Sequence, residues 1–194
     1  MSLFIPLGIV VAILVWAALN YNLLIRIRQQ VRESWSGIDT ELKRRYDLVP
    51  NLVETVKGYA AHERQVLTAV TEARARAQAA TGSPADQARQ ENQLVDSMRN
   101  LLAVAESYPD LKASAHYLAL QKELANTEDR IQAARRFYNG NVRDLNTRVE
   151  VFPSNLIASM FNFTKEEYFE VESSVIRQVV DVNFPERSDP APTD

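Results

Sequence analysis

The densest group of residues able to do chemistry is Lys43-Arg44-Arg45, followed by Asp47 and Asn51. On a helix Lys43 and Asp47 stand four residues apart, as do Asp47 and Asn51, so they share one side. Such a cluster can bind a phosphate or lipid headgroup, or pair with acidic residues of the third helix and fix which helix packs where. The second role weighs more. A second polar cluster holds Arg135, Arg136, Asn139, Asn141, Arg143, Asp144 and Asn146. Asparagine is a poor helix former, so two in one turn beside Gly140 point to a local distortion or to buried hydrogen bonding with a facing helix. A polar layer of that kind sets register in helical bundles. Its expected members are Asp47, Asn51, Arg135, Asn139 and Asn146.

Catalytic patterns are missing where they would be expected. His62 and His116 are the only histidines, and cysteine is absent. His62-Glu63 begins like a zinc-protease motif, but position 66 is valine where a second histidine is required. Neither histidine has a glutamate three residues before it, as a di-iron bundle needs. There is no Gly-rich phosphate loop and no Gly-x-Ser-x-Gly turn. The sequence therefore predicts no catalytic residue, no metal and no cofactor. Asp47, His62 and Asn139 are the least poor candidates for an enzyme. With a net charge of −3, nucleic acid is not an expected partner.

The elements that must position these residues begin with an uncharged stretch. Residues 1–25 carry no charged side chain, and Arg26, Arg28 and Arg32 follow. A membrane span needs roughly 20 apolar residues. The large apolar side chains of residues 3–19 favour insertion by about −3 to −7 kcal/mol. Trp16 and Tyr21 stand where interfacial aromatics belong. A cleavable signal would want a basic start and a small-x-small site, and neither is present, so residues 1–25 read as a retained transmembrane anchor. Basic residues favour the cytoplasmic side, which predicts a single-pass protein with its N-terminus outside and the bulk of the chain in the cytoplasm. Arg26, Arg28 and Arg32, with Lys43, Arg44 and Arg45, are candidate contacts to anionic headgroups or to a protein partner.

From Val31 the apolar residues recur at steps of three and four through Trp35, Ile38, Leu42, Tyr46, Val49, Leu52, Val56 and Tyr59 to Val66 and Val70. That spacing predicts one long amphipathic helix, continuous with the span and kinked near Tyr46–Val49 by Pro50. Thr81-Gly82-Ser83-Pro84 ends it, with Gly82 in the left-handed conformation and Ser83 capping a second helix through Asp86. The second helix carries Leu94, Met98, Leu101, Ala105 and Tyr108. A third runs from about Asp110 to Val151, with Leu111, Leu118, Leu124, Ile131, Tyr138, Val142, Leu145 and Val149 on one face. A short helix from about Asn155 to Phe161 follows. Beyond Thr164 the β-branched Val171, Val175, Val179 and Val180 leave strand and tail both open, and residues 186–194 read as a disordered tail. Scarce glycine, five in 194 residues, argues against hairpin-rich sheet.

Several runs, in order, resemble a known family. They are Trp35-Ser-Gly-Ile38-Asp39, Leu42 to Leu52, Tyr59-Ala-Ala-His62-Glu63, Tyr108-Pro109-Asp110-Leu111-Lys112 and Thr127-Glu128-Asp-Arg130-Ile131. Arg135-Arg136-Phe137-Tyr138-Asn139, Asn146 and Phe152-Pro153-Ser154-Asn155 complete the set. Together they are similar to the signature of the LemA family of bacterial membrane proteins, over about residues 20–170. The resemblance implies a membrane anchor followed by an antiparallel helical bundle, with no established reaction, substrate or cofactor.

The expected fold is all-α: a transmembrane helix at 1–25, an elongated antiparallel bundle of three long helices plus short C-terminal elements at 26–185, and a tail at 186–194. The expected function is a non-enzymatic binding or scaffold module at the bacterial inner membrane. The expected partners are membrane lipid, a second copy of the chain, and a membrane or cytoplasmic protein. Bundle helices of unequal length would leave part of the first helix's stripe uncovered, and Gly8 with Ala12 forms a small-xxx-small pair, so self-association is expected. The alternative is a homo-oligomeric structural protein that organises lipid.

Overall fold

The computed structural model describes residues 4–170. All regular structure among them is helical: α1 (Phe4–Lys57), α2 (Arg64–Ala79), α3 (Pro84–Glu106), α4 (Pro109–Lys112), α5 (Ala115–Glu150) and α6 (Ser154–Met160). The all-α expectation holds. The valines beyond Glu170 and the tail at 186–194 lie outside the described residues.

α1 is one unbroken helix with two environments. No residue of its apolar window is buried, whereas Leu24, Ile27, Val31, Ile38, Leu42, Tyr46, Val49, Leu52 and Val56 are all buried. Steps of three and four keep those residues on one side of a 3.6-residue helix. The packed half, from Leu24 to Val56, is about 50 Å long at 1.5 Å per residue.

Contacts between the helices set the direction of each. Arg45 meets Glu128, Trp35 meets Tyr138 and the Asn141 amide reaches the Gln30 carbonyl. Along α1 these fall while along α5 they rise, so the two helices are antiparallel over their length. α2 returns along α1, with Ala77 beside Tyr46. α3 starts at that level, where Gln87 meets Tyr46, and runs outward to α4, which leads into α5. The order is up, down, up, down.

One expectation about the first helices changes. The predicted continuous helix over 31–70 is two helices, because the chain turns back at Gly58–Glu63. Gly58 is a poor helix former. The turn is closed by Tyr59 and Ala60 amides donating to the Val56 carbonyl at 3.0 and 2.8 Å, with Ala60 fully buried beneath it. As expected, Pro50 does not stop α1. A proline deprives the carbonyl four residues earlier of its donor, and here that carbonyl, on Tyr46, accepts from Arg74 Nε of α2 at 2.5 Å.

The α2–α3 turn keeps the predicted Ser83 capping box with Asp86 and Pro84 at the first helical position. Gly82, however, is not left-handed, since no glycine among the described residues has positive φ. Its need is spatial: a Cβ there would lie 2.8 Å from the Asp86 carboxylate that closes the cap. The third predicted helix also divides, into α4 and α5, with the Ser114 hydroxyl accepting from the Tyr117 amide at the new start. Leu118, expected on the apolar face, is exposed. The short helix expected at Asn155–Phe161 is α6.

After α6 the chain leaves helix through a Schellman turn. The Phe163 and Asn162 amides donate to the Ala158 and Ser159 carbonyls, and Asn162 takes φ 54°, a conformation asparagine tolerates. Residues 164–170 then run extended along α5 towards the start of α3, where Asn92 Nδ2 donates to the Glu170 carbonyl at 3.5 Å. The stripe of α1 is consequently buried from Leu24 to Val56 without a gap. The expected uncovered stretch is absent, and with it the argument for self-association drawn from that stripe.

Candidate functional site

Three places concentrate the polar residues that sequence reasoning singled out. The first is the bundle interior. Arg45 is fully buried and ion-pairs with Glu91 of α3 and Glu128 of α5, the latter at 2.7 Å. Glu91 is equally buried and also accepts from the Tyr46 hydroxyl and from Gln87 Nε2 at 3.0 Å. Burial alone would pull the Arg45 guanidinium down, but the Glu128 and Glu91 carboxylates outweigh it and hold the charge. The Tyr46 hydroxyl is raised by burial and by the adjacent Glu91 charge, so it stays a donor. Every strong acid and base in this cluster has its charge answered inside the protein. Arg45 is therefore a packing residue that ties three helices together, and the headgroup or partner contact expected of it is ruled out by its burial.

Its neighbours point elsewhere. Lys43 is exposed and pairs with Asp39 at 2.7 Å, and Arg44 reaches Glu41 of the same helix at 3.5 Å. Asp47 and Asn51 are exposed and do not join a polar layer, because their side of α1 faces away from the other helices. Arg26 and Arg32 are exposed, while Arg28 is half-buried, its guanidinium 4.8 Å above the Phe163 ring.

The second place is the seam between α5 and the extended segment. Asn146 Nδ2 donates to the Glu166 carbonyl at 3.0 Å, and its Oδ1 accepts from the Glu166 amide at 2.9 Å. Asn139 repeats the pattern on Phe169, at 3.1 and 2.9 Å. The spacing explains why this works. Seven residues of helix rise about 10.5 Å, and three residues of extended chain span about 10 Å. Two asparagines a heptad apart thus grip an antiparallel strand at every third residue. The Tyr138 hydroxyl donates to the Glu167 carbonyl at 2.9 Å. Trp35 closes the seam, with ring centroids 5.3 Å from Tyr138 and 5.4 Å from Phe169. Asn139 and Asn146 do form a polar layer, but their partner is backbone of the C-terminal segment and not a facing helix.

The third place is a groove of about 530 Å³ along that seam, lined by Arg135, Arg136, Arg143, Gly140, Tyr168 and Glu170. Arg135, expected in the polar layer, lines this groove. The guanidiniums of Arg136 and Arg143 there suit a carboxylate- or phosphate-bearing group. His62 and His116 are exposed, and no three His, Asp or Glu residues among the described ones are grouped to hold a metal ion.

Sequence reasoning expected acidic partners on the third helix but did not single out Glu128 or Glu91 as the partners of Arg45, nor Gln87 as a donor to Glu91. A signal existed. Arg45 falls three after Leu42 and four before Val49, and Glu128 falls four after Leu124 and three before Ile131. A charge on the apolar register is a charge in the core, which requires a partner there.

Polar groups consumed internally, together with a first helix half packed and half bare, describe a class of helical protein carrying one helix fit to cross a membrane. A model of the LemA family matches residues 34–184, most of the chain, so the chain belongs to the LemA family. Protein LemA of Metamycoplasma hominis is 28% identical over 80% of this chain and 75% of its own length. Magnetosome protein MamQ 2 of Paramagnetospirillum magneticum is 24% identical over 83% of this chain and 68% of its own. Magnetosome protein MamQ of Magnetospirillum gryphiswaldense is 22% identical, with 82% and 68% covered. None of these names denotes an enzyme.

Proposed function

We propose that this LemA-family chain is a single-pass membrane protein that works as a non-enzymatic scaffold, holding a partner near the cytoplasmic face of a bacterial inner membrane. One observation carries the reading: α1 passes without a break from a bare apolar half into the packed bundle. A rigid rod of that kind fixes the bundle's distance from the bilayer, which a flexible linker would not. The cationic side follows the span at Arg26, Arg28 and Arg32, supporting a cytoplasmic bundle. The arginine groove beside the extended segment is the surface we assign to an acidic stretch of the partner. The test is a single cysteine at exposed Ala103, probed with a membrane-impermeant maleimide in intact and in opened cells, followed by cross-linking from Arg136→Cys. Labelling only after opening, and a cross-link to one protein species, support the reading. Labelling of intact cells reverses the orientation, and cross-links to the chain alone remove the dedicated partner.

The rival is a homo-oligomer that organises lipid. It is favoured by Gly8, which lies in the bare half of α1 with open space where a Cβ would be, as close approach of a second span requires. Gly8→Ile would then reduce self-association in detergent while leaving the bundle's melting unchanged.

A further inference from the structure

We propose that α6 and the turn after it form a second membrane contact, an interfacial foot that lies on the bilayer beside the emerging span. The inference rests on the reading of α1 as a span and adds a surface to it. α6 is amphipathic in an inverted sense. Ser154, Ile157 and Ala158 are buried against the bundle, while Phe152, Leu156, Met160 and Phe161 are 74, 56, 73 and 49% exposed. Leu156 and Met160 stand four residues apart on one face of α6, and Phe152 lies in the turn just before it. Apolar residues this large and this contiguous are rarely left in water by a soluble domain.

Their place in the fold identifies what covers them. Phe161 packs at a tilt against Tyr21 with centroids 4.6 Å apart, and Phe163 lies 6.0 Å from the same ring. Trp16 and Ala17, within the apolar part of α1, already pack against core residues of the bundle. The foot therefore stands level with the Trp16–Tyr21 stretch, the depth at which aromatic residues meet headgroups. A side chain there buries its apolar surface in the acyl boundary while the backbone, bonded within α6, needs nothing from lipid. Arg28, over the Phe163 ring at 4.8 Å, and exposed Arg26 put positive charge about 8–10 Å further along α1 than Tyr21, on the headgroup side and complementary to anionic lipid. With the span as one point and the foot as the other, the bundle has a fixed azimuth and tilt on the membrane.

The chain has no cysteine, so single substitutions take a spin label at one site only. Leu156→Cys, Met160→Cys, Val11→Cys and Ala103→Cys are reconstituted as full chains in vesicles of phosphatidylcholine and phosphatidylglycerol. Relaxation by oxygen, which concentrates in lipid, is compared with relaxation by a water-soluble nickel chelate. Sites 156 and 160 are expected to favour oxygen several-fold over site 103, though less than site 11. Nickel access at 156 and 160 equal to that at 103, with 11 still in lipid, overturns the foot and leaves the anchor standing. Nickel access at 11 as well overturns the anchor and the foot together. Dipolar broadening at 160 that disappears on dilution with unlabelled chain assigns the patch to a second copy and also overturns the proposal. Both labelled side chains are exposed, so folding is preserved, and Phe152→Cys repeats the measurement in the exposed turn before α6.

Discussion

Arg45 is where a single side chain decides the most. It is the shared partner of two carboxylates, one fully buried and one nearly so. Removing it leaves both uncompensated in low dielectric, which costs about 3–5 kcal/mol. Arg45→Ala is expected to lower urea stability by that amount, whereas Lys43→Ala, at an exposed i,i+4 pair, changes it by less than about 0.5 kcal/mol. Equilibrium unfolding followed by circular dichroism separates the two. Tyr138 sets a pH limit. Its hydroxyl is pushed up to about 12 by burial, then by Glu166 and Glu167, while in the unfolded chain it titrates near 10. The folded state keeps a proton that the unfolded chain releases. The stabilisation is complete below about pH 10 and lost as pH rises through about 12. The urea midpoint should fall across that window, and Tyr138→Phe should make the fall shallower.

At the scale of elements, the extended segment takes the place of a helix. α2 and α3 cover the outer half of α1, and residues 164–170 cover part of the inner half, held by two asparagine side chains. Because grip occurs at every third residue, amide exchange should be slow at Glu166 and Phe169 and fast at Tyr168. Asn146→Ala should release the first and Asn139→Ala the second, each by about 1–3 kcal/mol of local protection. Uniform protection along the segment would contradict the clamp. The Tyr46 carbonyl offers a second test. Arg74→Ala leaves it without the donor that Pro50 already withholds, an expected loss of about 1–3 kcal/mol, and Pro50→Ala in the same chain should recover part of it by restoring an amide donor.

For the whole molecule, α1 joins the candidate span to the bundle without a hinge, so the membrane and the arginine groove are mechanically one body. The three arginines after the span then carry the orientation. Replacing Arg26, Arg28 and Arg32 by glutamine should raise the fraction of chains with an external C-terminus, read from a pair of reporters active on opposite sides. An unchanged ratio would show that another feature sets the topology. None of this demands a catalytic centre, since the strong charges of the interior are spent on packing.

Helical periodicity, the uncharged leader and the capping residues at Ser83 are properties of neighbouring positions, so the sequence alone determined the all-α class, the candidate span and most helix boundaries. The turn at Gly58–Glu63 escaped because Val66 and Val70 return to a helical spacing after it, and spacing cannot tell a continued helix from a new one. Which charge lies inside was half legible: the register placed Arg45 in the core, but its partners are 46 and 83 positions away. The asparagine clamp was legible as polarity in the wrong place, while its occupant was not. An extended segment has no periodic apolar signature when its backbone is what the fold grips. Only the tertiary structure could bring residue 139 to residue 169, because that pairing is a match between helical rise and strand rise across two separate stretches of chain.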